Sequence, residues 1–225
     1  MVRTSSVTSC VNLKLNKMPK KVSHNKMMAA LDWAYDMAID GVPGLATSEE
    51  LAYSYMKKNN KKYEQVNSLI RWQNTKAGTS GFLTGLGGII VLPFSLPANI
   101  TSVLFIQIRM IAAIAIIGGY DVRDDQVKTL IYLCLAGNSA KDIVKGTGIV
   151  IGTKLSESAI KSISGKTLTL INQKVGFRLV TKFGTKGAIN MGKAIPLVGG
   201  LVGGTFDSVT TNTIGNIARN TFIVD

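Results

Sequence analysis

The residues that most often carry out catalysis are few in this chain, and they stand apart from one another. Its single histidine, His24, lies in no recognisable context with a serine or cysteine nucleophile. Cys10 and Cys134 have neither the spacing of a metal site nor the number needed for a disulfide framework. The segment Gly165–Thr167 resembles the end of a phosphate-binding loop, but Ile160 occupies a position that requires glycine. An enzyme is therefore the least supported class of function, and nucleotide binding is rejected.

The acidic residues are equally poor candidates for a metal site. Asp121, Asp124 and Asp125 precede the apolar positions of a predicted helix, where carboxylates interact favourably with the helix dipole. A calcium or magnesium site would need more oxygen ligands at a defined spacing. We therefore expect neither a metal ion nor a cofactor.

One charged residue stands inside a long apolar segment and requires an explanation. Gly78–Tyr120 contains Arg109 and no carboxylate. Because an unpaired buried ion costs several kcal/mol, we expect Arg109 to meet a carboxylate, and Asp207 is the predicted partner because it also stands alone among apolar residues. Asn99 lies on the same helical face as Arg109, whereas Gln107 points elsewhere, and both are expected to be buried polar residues.

Glycines and prolines divide the apolar segments into short helices. Pro93 and Pro97 are expected to break the central segment into a hairpin, because proline interrupts helical hydrogen bonding. Glycines at helical spacing allow helices to approach closely, and we assign this role to the following residues: Gly85, Gly87, Gly88, Gly199 and Gly203.

The second half of the hairpin is long enough to cross a membrane. Residues 98–117 would form a helix of about 30 Å at ~1.5 Å per residue. A charge near the middle of a spanning helix costs about 2.5–3.5 kcal/mol. Two interpretations therefore remain: Arg109 faces a protein interior and meets a carboxylate, or the whole segment lies in a soluble helical bundle. Simple single-pass spanning is disfavoured.

Helical periodicity covers most of the remaining chain. From Ser23 an apolar face predicts a helix that ends at Gly41, and Thr47 with Glu50 forms a capping-box pattern that opens the next one. A final helix is predicted over 210–224. The sequence thus predicts an all-α fold: a single bundle-like helical domain over 23–225, with Gly/Pro-broken apolar helices at its centre. Residues 1–22, rich in Ser, Thr, Asn and Lys, are predicted to be a disordered basic tail.

The charge of the chain indicates an anionic partner. Its 225 residues carry a formal net charge of +13, yet only 17% are charged and 46% are apolar. Positive charge combined with long apolar runs favours an anionic membrane surface over nucleic acid, and no zinc-finger or RNP-type motif is present. We therefore expect no sequence-specific nucleic-acid binding.

The C-terminal third contains a basic run without a single acid between Glu157 and Asp207. The same stretch contains an apolar stripe. This combination is typical either of an amphipathic helix at a membrane interface or of a surface helix in a basic domain. The cations predicted to meet the membrane are Lys161, Lys166, Lys174, Arg178, Lys182, Lys186 and Lys193.

Three sequence blocks resemble the EcsC family of bacterial proteins. They read SLIRWQNTKAGTSGF (68–82), GLGGIIVLPFSLPANI (85–100) and QIRMIAAIAIIGGYDVRDDQVKTL (107–130). The similarity begins at about Ser23 and continues more loosely to the C-terminus. The family takes its name from a gene that neighbours an ABC transporter. The resemblance implies a shared core over 85–130, and it supplies no catalytic residues because the activity of the family is not settled.

We therefore expect a non-enzymatic accessory or regulatory protein that binds an anionic membrane surface, or a membrane protein such as an ABC transporter. The low cysteine count and the lack of a secretory signal predict a cytoplasmic protein, peripheral or monotopic at the inner face of the membrane. Two alternatives remain open: a membrane-disrupting, pore-forming-like effector and a soluble lipid-binding protein.

Overall fold

The computed structural model describes residues 23–58, 61–77, 98–153, 155–191 and 199–223. In these ranges it gives the backbone alone for 76–77, 98–99, 184–191 and 199–208. The prediction of a disordered tail over 1–22, and the predicted hairpin with Pro93, Pro97, Gly85, Gly87 and Gly88, lie outside the described residues.

The all-α prediction is confirmed for the described part of the chain, which holds nine α-helices and one isolated β-bridge. The helices are α1 (His24–Asp40), α2 (Ser48–Met56), α3 (Lys62–Ala77), α4 (Ala98–Gly118), α5 (Asp125–Leu135), α6 (Ala140–Ile143), α7 (Glu157–Lys161), α8 (Gly165–Met191) and α9 (Gly199–Phe222), and a 3₁₀ turn (Gly137–Ser139) links α5 to α6.

Helix α1 begins and ends, and α2 begins, where the sequence predicted. Ser23 caps α1 by accepting a hydrogen bond from the amide of Lys26, and Gly41 ends it with φ of 100°, a conformation that favours glycine. At α2 the hydroxyl of Thr47 accepts from the amide of Glu50 at 3.0 Å, and the Glu50 carboxylate accepts from the amide of Thr47 at 2.8 Å. The predicted capping box is therefore present.

Replacing Thr47 with alanine should lower the free energy of unfolding by about 1 kcal/mol, because the substitution leaves the amide of Glu50 without its acceptor. Urea denaturation measures this loss. Ser139→Ala is the control, since Ser139 occupies the N-cap of α6 without a side-chain capping hydrogen bond. Equal losses in the two variants would show that the capping box contributes nothing specific.

Helix α4 lies at the centre of the bundle, in contact with α1, α2, α3, α5 and α9. Of the described helices, it is the one that is long and apolar enough to cross a membrane, over Ile100–Gly118. In the protein, however, 94% of this apolar stretch is buried. Its apolar side chains pack on neighbouring helices on all sides. The described part of the long apolar segment is thus packed inside a helical bundle, and Arg109 faces the protein interior.

Close approaches between helices occur at glycines that the sequence did not single out. A Cβ at Gly215 would lie 2.8 Å from the Ile70 side chain, so α9 and α3 are in direct contact there. At Gly118, a Cβ would overlap the carbonyl oxygen of Phe222. Gly199 and Gly203 fall in the first turns of α9, and their packing lies outside the described residues.

The prediction for the last helix was wrong at its start. Helix α9 begins at Gly199, well before the predicted residue 210, and continues through Asp207. Glycine and aspartate lower helix propensity by at most about 1 kcal/mol each, an amount that tertiary packing readily overcomes.

Candidate anion-binding surface

Arg109 is buried in α4, as its apolar surroundings predicted. Its Nη1 donates a hydrogen bond to the carbonyl oxygen of Ala46 at 3.0 Å, and its guanidinium lies 5.5 Å from the ring of Phe105. Burial lowers the pKa of Arg109, because the charged guanidinium loses its hydration there. The side chain of Asp207 lies outside the described residues, so the predicted ion pair stays a prediction.

Gln107 is buried on another face of α4, in agreement with its predicted direction. Its amide Nε2 donates to the hydroxyl of Thr211 on α9 at 3.2 Å. Gln73 on α3 is also buried, and within the described part of the chain neither of its amide atoms has a hydrogen-bond partner. The side chain of Asn99 lies outside the described residues. The hydrogen bond of Gln107 therefore links α4 to α9 within the core.

The residues suited to nucleophilic or acid–base chemistry have structural roles. The ring of His24 is within hydrogen-bond distance, 3.1 Å, of the carbonyl oxygen of Gln173, so it links α1 to α8. Cys134 is fully buried, and burial raises the pKa of its thiol to about 12. A thiol that stays protonated at neutral pH is a poor nucleophile.

Carboxylates gather where α5 begins, and we call this region the acidic pole. It consists of Asp40, Asp121, Asp124 and Asp125, with Arg123 among them. Arg123 donates to Asp40 at 3.2 Å, and its own amide donates to Asp121 at 2.8 Å. The pKa of Tyr35, next to this region, is raised by burial first and then by Asp121 and other nearby carboxylates.

The structure describes the side chains of five of the seven cations predicted to meet a membrane, and their surroundings differ. Lys161 forms an ion pair with Glu157 at 2.6 Å and lies near Asp121 and Asp124. Lys174 donates to the carbonyl oxygen of Ile143 at 3.1 Å. Lys166 is exposed in the first turn of α8, and the side chains of Lys186 and Lys193 lie outside the described residues.

Arg178 and Lys182 do share a surface feature, because they lie one helical turn apart on α8. They border a groove of about 450 Å³ between the 3₁₀ turn, α8 and α9, which we call the basic groove. No carboxylate occurs among its described lining residues, which are Ala136, Gly137, Asn138, Ser139, Arg178, Thr181, Lys182, Val209, Thr210, Thr213 and Ile214.

Comparison with known proteins agrees with the motif-based resemblance. The model of the EcsC protein family matches residues 3–224, which is nearly the full length. The chain belongs to the EcsC protein family. No curated protein and no solved structure gives a significant match. The family match also extends the similarity toward the N-terminus, beyond the start near Ser23 that the motifs suggested.

The basic groove and the acidic pole of this EcsC protein lie at opposite ends of α5. The acidic pole precedes Asp125 and the groove begins at Ala136, so the eleven residues of α5, about 16 Å at ~1.5 Å per residue, separate them. Two large apolar side chains are exposed near the cations of the groove: Phe177, one helical turn before Thr181 of the lining, is 70% exposed, and Val209, in the lining, is 68% exposed. Positive charge and apolar surface therefore occur together, away from the acidic pole.

A second depression, of about 440 Å³, lies between α2 and α3. It is lined by Leu51, Ser54, Tyr55, Lys58, Ser68 and Trp72. The Nζ of Lys58 lies 4.8 Å from the centre of the Tyr55 ring, and the Trp72 side chain is half-exposed. Its single lysine and aromatic rim provide less anion-binding chemistry than the basic groove.

Proposed function

We propose that this EcsC protein is a non-enzymatic accessory or regulatory factor that attaches to an anionic membrane surface through the face around Arg178 and Lys182. The observation that carries this proposal is the separation of charge along α5. Cations and exposed apolar residues occupy one end, and the carboxylates of the acidic pole occupy the other. A membrane with anionic lipids would attract the first end and repel the second, and so would orient the protein.

Both parts of this face suit a membrane interface. Each Lys or Arg held near an anionic surface contributes about 1 kcal/mol of binding free energy. Phe177 adds an apolar side chain that can be buried among lipid headgroups and acyl chains. The partner is then the anionic lipid itself or a membrane protein in it, and the neighbouring ABC transporter implied by the family resemblance is the first such protein to test.

Vesicle flotation tests the proposal with the full-length chain. We expect binding to vesicles that contain phosphatidylglycerol at about 0.05 M salt, and weaker binding at about 0.5 M salt, because the Debye length falls well below 10 Å. Vesicles of phosphatidylcholine alone should retain little protein. A chain that stays in solution with both kinds of vesicle at low salt would overturn the proposal.

A matched pair of variants tests the contribution of an exposed apolar side chain to membrane binding. Phe177→Ala should weaken partition to phosphatidylglycerol vesicles about tenfold, the low end expected for losing burial of one large apolar side chain. Tyr53→Ala is the control, since Tyr53 is an aromatic residue exposed to 48% on α2, outside the proposed face. Similar losses in both variants would contradict the proposed orientation. Dye release from the same vesicles would instead favour a membrane-disrupting effector.

A further inference from the structure

We infer that α8 lies along the membrane surface and inserts Leu170 and Phe177 among the lipid headgroups, so that the protein selects anionic bilayers whose lipids are loosely packed. The inference rests on the proposed membrane attachment. It adds which helix enters the bilayer, which side chains are buried there and which kind of bilayer is the partner. Attraction between charges alone gives no such selection, because it depends on lipid charge and on salt.

The first argument is that α8 has two apolar faces, whereas a surface helix of a bundle needs one. The first face is turned toward the protein, where Ile171, Val175 and Leu179 are fully buried. The second is turned toward solvent and contains Leu170, 41% exposed, and Phe177, 70% exposed. These two residues are seven positions apart, so they lie on the same side of the helix, about 10 Å from each other at ~1.5 Å per residue. Core packing explains the first face, and contact with lipid gives the second face a role.

The second argument is the polar part of the outward side of α8. Lys166, Gln173 and Arg178 are exposed there, and the sequence of α8 contains no carboxylate. Lys174 donates a hydrogen bond to the carbonyl oxygen of Ile143, a contact that leaves its positive charge in place. Apolar side chains flanked by cations are typical of helices that lie in the plane of a membrane interface.

The helices packed against α8, which are α1, α5 and α6, leave this side positively charged. Helix α1 contacts α8 through His24 in its first turn, and its first carboxylate, Asp32, forms an ion pair with Lys128 at 3.0 Å. The single carboxylate of α5 belongs to the acidic pole. Asp142 on α6 is exposed and follows Lys141 in the chain. Because α8 adds cations and no carboxylate, this side of the bundle has the charge that an anionic bilayer attracts.

The third argument is that the two apolar side chains contribute enough to make lipid packing matter. Burial of one large apolar side chain contributes more binding free energy than one cation held near an anionic surface. Leu170 is already more than half covered by the protein, so Phe177 contributes the larger share. Side chains of this size enter an interface most easily through gaps between headgroups, and binding of such helices is sensitive to curvature for that reason. Affinity should therefore depend on lipid packing as well as on lipid charge.

Vesicles of one composition and two sizes test this selection with the full-length chain at the same low salt. We expect vesicles of phosphatidylglycerol and phosphatidylcholine about 30 nm in diameter to bind the chain about tenfold more tightly, per accessible lipid, than vesicles of about 200 nm. Equal affinity at the two sizes would overturn the inference and leave membrane attachment intact. Failure to bind either size would remove both the inference and the proposed function.

A loss variant tests the role of α8. Leu170→Ala should weaken binding to the small vesicles about fivefold, because a partly exposed leucine can no longer be buried in lipid. Met56→Ala is the matched control, since Met56 is an apolar residue of similar size and is 38% exposed on α2. Similar losses in the two variants would show that α8 has no special contact with the bilayer.

A gain variant tests the same face in the opposite direction. Gln173 is exposed between Leu170 and Phe177, and His24 contacts only its backbone carbonyl, so Gln173→Leu extends the apolar stripe and leaves that contact in place. We expect about tenfold tighter binding to vesicles of both sizes. Thr75→Leu, at an exposed position on α3, adds the same side chain elsewhere and should leave affinity unchanged. An equal gain in both variants would contradict insertion through α8.

Insertion itself is measured by fluorescence quenching. In Phe177→Trp, the new indole should be quenched by lipids that are brominated on their acyl chains, because it enters the interface. The wild-type chain, whose Trp33 and Trp72 lie on α1 and α3, provides the background and should be quenched far less. A Phe177→Trp variant that binds vesicles without additional quenching would overturn insertion and leave attachment by charge alone.

Discussion

Replacing Phe222 with alanine is expected to lower the free energy of unfolding by about 3–5 kcal/mol, the usual cost of removing a fully buried aromatic side chain. Phe222 is 0% exposed at the end of α9, and its ring packs edge-on against Tyr120 with 5.4 Å between the ring centres. Its neighbour Thr221 accepts a hydrogen bond from the amide of Leu155. The substitution therefore loosens the junction of α9 with α4 and with the segment that precedes α7. Urea denaturation followed by circular dichroism measures the loss.

The same substitution at Phe177 provides the control. Because Phe177 is 70% exposed, its truncation should change the free energy of unfolding by less than about 0.5 kcal/mol. We thus expect the two variants to differ in two assays. Phe222→Ala should lose stability, and Phe177→Ala should lose vesicle binding. A stable Phe222→Ala variant would show that the C-terminal turn of α9 contributes little to the core.

The second large effect is expected at Gly118, where α4 meets the end of α9. An alanine Cβ there would overlap the carbonyl oxygen of Phe222 and lie 2.9 Å from the Tyr120 ring. A backbone carbonyl cannot turn aside as a side chain can, so α9 or the end of α4 must shift. We expect Gly118→Ala to lower the free energy of unfolding by about 2–3 kcal/mol, in the upper range for overpacked cores, and to lower the Tm correspondingly.

Gly176→Ala is the matched control for this prediction. A Cβ at Gly176 would also be crowded, but by His24 Nε2 at 2.6 Å and Met28 Sδ at 2.7 Å, both of which belong to side chains that can move. Alanine also gains about 1 kcal/mol over glycine in a helix interior, which offsets the crowding. The control should therefore unfold close to the wild type. If Gly176→Ala lost as much stability as Gly118→Ala, the distinction between backbone and side-chain neighbours would be wrong.

The burial of α4 affects how membrane attachment can occur. Its apolar residues already contact five other helices, so exposing them to lipid would require separating α4 from those neighbours. Attachment through the face around the basic groove requires no such rearrangement, because Phe177 and Val209 are exposed in the folded bundle. The proposed peripheral attachment therefore leaves this core intact, whereas insertion of α4 into a membrane would have to break it.

Local sequence patterns predicted the individual helices well. Both ends of α1 and the start of α2 followed from Ser23, Gly41 and Thr47, because capping depends on residues within one turn of each other. The burial of Arg109 and Gln107 followed from the apolar segment that contains them. The start of α9 was mispredicted because glycine and aspartate are weak local signals, which the packing of a long helix can override.

The sequence by itself determined an all-α EcsC protein with a strongly basic surface, since helical periodicity, caps, family motifs and net charge are all readable along the chain. Only the tertiary structure decided which cations share a surface. Lys174 donates to the carbonyl oxygen of Ile143, whereas Arg178 and Lys182 line one groove with residues 136–139 and 209–214. Spacing along one helix predicts a pair such as Glu157 and Lys161, which lie four residues apart. The physical reason for the difference is that the other contacts join segments distant in sequence, about which spacing along one helix contains no information.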